Sequence, residues 1–95
     1  MAIPCFPSST VEYVPALVTG TFTESTPVHM AVIPYDIEPD TDDWKTAVWD
    51  GSHAKVKIGT GTAVGALDEG LYGVWVKVTT ADETPVIPSG SIRIT

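Results

Sequence analysis

The stretch Leu67-Asp68-Glu69-Gly70-Leu71-Tyr72-Gly73-Val74-Trp75-Val76-Lys77-Val78-Thr79 decides how the rest of the chain is read. Asp68-Glu69-Gly70 is a turn signal, because Asp bonds local backbone and Gly takes positive φ at no steric cost. The β-branched and aromatic residues that follow suit a pleated, half-buried surface. Side chains alternate across a strand, so Tyr72, Val74, Val76 and Val78 share one face and Leu71, Gly73, Trp75 and Lys77 the other. The first set is apolar throughout and is expected to face a second sheet. Trp75 then stands on the outer face beside Lys77. It either packs under a neighbouring loop or anchors a partner, because Trp is often only partly buried and is enriched at interface hot spots.

The spacing Asp68, Gly70, Tyr72, Val74 also matches the corner that leads into strand F of immunoglobulin-like sandwiches. In that corner the Tyr hydroxyl bonds back to backbone a few residues upstream and pins the crossing between the sheets. Asp68, Gly70 and Tyr72 are the corner residues expected here.

Other strands fall into place around it. Residues 12–19 read as a strand in which Pro15, lacking an amide hydrogen, belongs at an edge or bulge. Residues 28–35 and 54–58 are further strands, the latter strictly alternating after the turn pair Asp50-Gly51. Ile92 to Thr95 ends the chain as a terminal strand. Trp44 to Trp49 is two-sided: Trp44, Ala47 and Val48 share a helical face, whereas Trp44, Thr46 and Val48 alternate. It is taken as a strand because its neighbours are β, with Asp42 or Asp43 able to cap a helical turn. Gly20 to Pro27, with Phe22 its one large apolar residue, holds a short strand or a long hairpin connection. Gly59, Gly61 and Gly65 punctuate a short stretch at Thr62-Ala63-Val64, and residues 81–85 form a loop. The resulting expectation is an all-β, immunoglobulin-like antiparallel β-sandwich of about seven or eight short strands.

Ninety-five residues make one domain, and a chain of this size buries roughly 60–65% of its unfolded surface, enough for a two-layer core. Residues 1–10, with Pro4, Pro7, Ser8, Ser9 and Thr10, read as an extended N-terminal arm, and residues 11–95 as the sandwich. The arm either lies along a neighbouring subunit or frays. A hydrophobic content of 43% argues against wholesale disorder, and eight Gly with eight Pro favour many turns over helices.

The formal net charge of -7 disfavours nucleic-acid binding, since phosphate backbones are repelled. Cys5 is the single cysteine, which rules out an internal disulfide and points to synthesis in a reducing compartment. No basic and apolar leader pair opens the sequence, and no apolar run approaches the ~20 residues needed to span a bilayer. The expectation is a cytosolic product without a membrane partner.

Asp36, Glu38, Asp40, Asp42 and Asp43 crowd one loop with no cation among them. Alternating acids can wrap calcium, which makes Asp36, Glu38, Asp40 and Asp42 the candidate metal ligands. An EF-hand counted from Asp36 fails, because its sixth and twelfth positions hold Thr41 and Ala47 instead of Gly and Glu. The same loop can instead be a solvated surface, or dock on a basic patch through Asp40, Asp42 and Asp43. His29 and His53 lack metal-ligand spacing to each other or to Cys5. His29 is expected as a hydrogen-bonded structural residue and His53 as exposed. No G-x-S-x-G elbow occurs, and Gly59-Thr60-Gly61-Thr62 lacks the helix a dinucleotide fingerprint needs. The chain is therefore expected not to be an enzyme and to carry no cofactor.

Three segments together carry a family resemblance. They are Met1-Ala2-Ile3-Pro4; Val32-Ile33-Pro34-Tyr35 with its acidic loop and Trp44-Lys45-Thr46-Ala47-Val48-Trp49; and the stretch from Gly70 through Glu83-Thr84-Pro85-Val86 to Gly90-Ser91-Ile92-Arg93-Ile94. The chain resembles the small immunoglobulin-like structural proteins of tailed bacteriophages, especially those of actinobacteria. The resemblance implies a virion protein made in the host cytoplasm, foremost a capsid decoration protein on the assembled head. Its partner would be the major capsid protein or another virion protein, bound by a homo-oligomer such as a trimer. Partner-binding candidates are Ile3, Pro4 and Phe6 of the arm, Trp75, and Asp40, Asp42 and Asp43. A tail-associated structural protein is the alternative. So is a carbohydrate-binding or adhesive module stacking sugars on Trp75, Trp49 or Tyr35, and an inhibitor acting through residues 79–88 is a third reading. Two departures from antibody-type domains stand out: no cysteine pair bridges the sheets, and Trp44 or Trp49 only roughly takes the place of a core Trp.

Overall fold

The computed structural model describes residues 3–18, 26–80 and 83–95. Among them run eight strands: β1 (Cys5–Phe6), β2 (Glu12–Leu17), β3 (Val28–Pro34), β4 (Lys45–Thr46), β5 (Val48–Asp50), β6 (His53–Ile58), β7 (Gly70–Val78) and β8 (Val86–Ile94). One sheet has the order β1-β8-β7-β3-β4, the other β2-β6-β5. In immunoglobulin lettering β3, β7 and β8 occupy the places of C, F and G. The strands β2, β6 and β5 occupy those of B, E and D, and β4 is appended beside C. The fold is an immunoglobulin-like β-sandwich.

Alternation builds the core. Val28, Met30 and Val32 of β3, Val74, Val76 and Val78 of β7, and Ile92 and Ile94 of β8 point inward from the larger sheet. Val14 and Ala16 of β2 and Ala54, Val56 and Ile58 of β6 meet them from the smaller one. Phe6, Trp49, Leu67 and Tyr72 pack around this cluster, half-buried. Met30, with its flexible thioether chain, is among the largest side chains fully enclosed. The expected inner face of β7 is the observed one. Pro15 lies on β2, an edge strand of the smaller sheet, where its missing N–H costs no ladder bond.

The corner forms as its spacing indicates. Tyr72 Oη donates to the Asp68 carbonyl at 2.9 Å. Gly70 enters β7 with φ +151, a backbone region that side-chain-bearing residues rarely adopt.

Three details differ from the reading of the sequence. First, the larger sheet is mixed rather than wholly antiparallel, because β1 pairs β8 in parallel through Cys5↔Arg93 and Phe6↔Ile94. The Arg93 N–H donates to the Pro4 carbonyl at 2.9 Å, the Thr95 N–H to the Phe6 carbonyl at 2.9 Å, and the Ser8 N–H to the Thr95 carbonyl at 2.8 Å. Residues 4–8 thus bond to the chain's own last strand.

Second, residues 44–49 do not make one strand. β4 pairs with β3 and β5 with β6, so the segment crosses between sheets at buried Ala47, whose N–H donates to the Val28 carbonyl at 3.0 Å. Because the segment's two halves pair in different sheets, neither the helical nor the strand period runs cleanly through it. A 3₁₀ turn, Thr41–Asp43, precedes the crossing. It is capped by Asp40, with the Asp43 carboxylate returning a bond to the Asp40 N–H at 2.7 Å.

Third, β8 begins at Val86 rather than Ile92. Pro88 and Gly90 disguise its first half, and the ladder absorbs them in a bulge where Val74↔Gly90 is followed by Trp75↔Pro88. Around Thr62-Ala63-Val64, Gly59 and Gly65 form an isolated bridge and Thr62 closes a turn between them. The expectations for residues 19–25, Phe22 included, and for residues 81–82 lie outside the described residues.

Tyr72→Phe removes the corner hydrogen bond while keeping the ring against the core. It is expected to lower stability by about 0.5–1.5 kcal/mol without changing the fold, as read by urea denaturation.

Candidate interaction surface

In a sandwich the outward faces of the sheets normally carry polar side chains. The larger sheet departs from this. Ala31 and Ile33 point away from the core, yet Ala31 is 0% exposed and Ile33 6%. The cross-strand pairs Ala31↔Trp75 and Ile33↔Gly73 show what covers them. Trp75 lies half-buried on this face, as its alternation indicates. Its ring leans over Gly73, where a Cβ would come within 3.4 Å of the indole nitrogen. Trp44 covers the same face nearer its edge, with Lys77 Nζ 4.8 Å from the Trp44 ring centroid.

The segment after β3 folds back beside this aromatic layer. The Tyr35 N–H donates to the Leu71 carbonyl at 3.1 Å, extending the ladder by one bond. Asp36 then takes φ +68, a left-handed conformation that Asp tolerates because its short side chain can bond locally. The turn leaves a groove of about 330 Å³. Tyr35, Asp36, Ile37 and Glu38 form one wall, Pro88 and Gly90 at the bulge form the other, and Gly73 and Trp75 lie at its base. Tyr35 and Ile37 remain exposed beside it.

The five loop carboxylates divide by role. Asp40 and Asp43 are turned onto the local backbone in the capping box, and the Asp42 carbonyl accepts from Lys45 Nζ at 3.1 Å. Asp36 and Glu38 line the groove and form no ion pair among the described residues, where the ion pair is Lys55–Asp50 at 3.6 Å on the other sheet. No three of the His, Cys, Asp and Glu side chains in the described residues, Asp36, Glu38, Asp40 and Asp42 included, gather as a ligand set.

The other candidates scatter. Ile3 and Pro4 are exposed at a separate groove of about 400 Å³ beside Pro15 and Ser89. Phe6 is half-buried against the core, so its ring is engaged within the chain. Cys5 is exposed on β1. His29 and His53 stand on different sheets. His53 is exposed, whereas His29 Nδ1 is buried without a hydrogen-bond partner among the described residues, unlike the hydrogen-bonded histidine expected. Trp49 is half-buried and its indole N–H donates to the Thr26 carbonyl at 2.8 Å. On the outer face of the smaller sheet, Lys55 and Lys57 approach the Tyr13 ring at 4.5 and 5.6 Å.

Of the groove residues, Ile37, Gly73 and Pro88 were not site candidates in the reading of the sequence. One signal was present: residues 28–33 are apolar at nearly every position, the mark of a strand covered on both faces.

Trp75→Ala uncovers Ala31 and Gly73 and is expected to cost about 1–3 kcal/mol in urea denaturation, with the β circular-dichroism signature retained. No family model, curated protein or solved structure matches the chain.

Proposed function

We propose that the chain is a non-catalytic attachment module, a bacteriophage virion protein that decorates the assembled head and docks through the outer face of its larger sheet. One observation carries the docking face. Tyr35, Ile37, Trp75 and Pro88 gather around a groove on a surface that a free-standing sandwich would make polar, beside two carboxylates that form no ion pair among the described residues. Aromatic residues set in a partly covered groove are the usual anchors of protein interfaces.

The virion assignment is supported by the resemblance of three segments spread through the chain. Its physical logic is multivalency: a small module with a modest patch binds weakly alone, and many copies on a repeated lattice bind tightly together. A net charge of -7 sets free copies against one another and favours a lattice that presents positive charge. The major capsid protein is the proposed partner, with another virion protein as the alternative.

Tyr35 and Trp75 also line one groove, which is what sugar stacking by an adhesive module requires. Saturable quenching of tryptophan fluorescence by a glycan would favour that second reading. The direct test is immunogold labelling of phage particles from the source host, using antibodies raised against the chain. Gold over the heads is the expected result. Gold on tails would move the protein to the tail, and unlabelled particles would contradict the virion assignment.

A further inference from the structure

We infer that the groove beside Trp75 takes a basic side chain, arginine by preference, from the protein partner. The inference deepens the attachment reading and rests on it only in taking the partner to be a protein. The occupant follows from the chemistry of the walls. Tyr35 and Trp75 supply aromatic surface, and Asp36 and Glu38 supply negative charge at the same groove. An aromatic surface beside carboxylates suits a guanidinium, which stacks on rings and donates to carboxylate oxygens from one planar group. A wholly apolar occupant would draw nothing from the two exposed carboxylates at the groove.

Among the described residues this role is unfilled. Asp36 and Glu38 form no ion pair among the described residues. Lys77, the cation of β7 on the same face, is already placed over Trp44. The groove has room for a side chain, at about 330 Å³. Its walls are set by the Asp36 turn and by the β7–β8 bulge.

The test titrates the full chain with acetyl-Val-Arg-Val-amide and follows amide and indole NMR signals. A peptide carrying citrulline, the neutral isostere of arginine, serves as the comparison. Saturable shifts centred on the Trp75 indole and Gly73 are expected. Binding should weaken about fivefold or more when citrulline replaces arginine, and similarly in the double variant Asp36→Asn, Glu38→Gln. Asn suits the left-handed position, so this variant keeps the turn. Rising salt should weaken the arginine peptide more than the citrulline peptide.

Equal binding of the two peptides would overturn the inference, as would shifts centred on Tyr13 and Lys55. Concentration-dependent self-association abolished by Lys55→Ala, Lys57→Ala would also overturn it, because the groove would then serve a second copy of the chain. If the peptide fails while particles are labelled by gold, attachment stands and the basic occupant falls. Peptide binding with unlabelled particles would leave the groove chemistry standing and remove the virion role.

Discussion

Burial of one face of β7 against the smaller sheet is the constraint on which the rest depends. Val74, Val76 and Val78 lie at the centre of a layer closed by Met30 on one side and by Val14, Val56 and Ile58 on the other. Each fully buried aliphatic side chain contributes about 1.5–3 kcal/mol, set against the cost of ordering the backbone around it. The single cysteine is exposed at the far edge, so no inter-sheet disulfide shares the work. The Tyr72 corner and the Ala47 crossing are where the chain passes into or between the two layers, and both are held by backbone-directed hydrogen bonds.

Fixing the inner face of β7 fixes the outer one as well. Because side chains alternate, placing Val74 and Val76 inward obliges Gly73 and Trp75 outward, opposite Ile33 and Ala31. The outward row is itself partly covered by Trp75, Trp44 and the segment that turns back at Asp36. The groove is therefore a consequence of the fold's register and not an independent feature. A one-residue slip of β7 would both expose the valines and dismantle the groove.

The sequence made this logic legible where a single period dominates. The alternation from Leu71 to Val78 and the Asp68–Tyr72 spacing specify one strand face and one hydrogen bond, and both occur. It was opaque where a residue does two things at once. Pro88 and Gly90 look like loop residues because they deny β8 a donor and a side chain, yet a bulge lets the strand run through them. Lys45 to Asp50 serves two sheets in six residues, so no period survives. Of the candidate site, Trp75 was legible from alternation, and the acidic loop from composition. Their meeting was not, because it depends on the left-handed turn at Asp36, which composition does not announce. The parallel docking of β1 was hidden for a related reason: Pro4 and Pro7 read as a free arm until Arg93 and Thr95 supply the donors that Pro4 and Phe6 accept.

Docking through the outer face of the larger sheet can be read by hydroxyl-radical footprinting of the chain free and on its particle. Tyr35 and Tyr13 suit the comparison, being 52% and 46% exposed in the free chain and standing on the outer faces of opposite sheets. Oxidation of Tyr35 and Trp75 is expected to fall on the particle while that of Tyr13 is unchanged. Protection of Tyr13 with Tyr35 still oxidised at its free rate would contradict this expectation and place the interface on the smaller sheet.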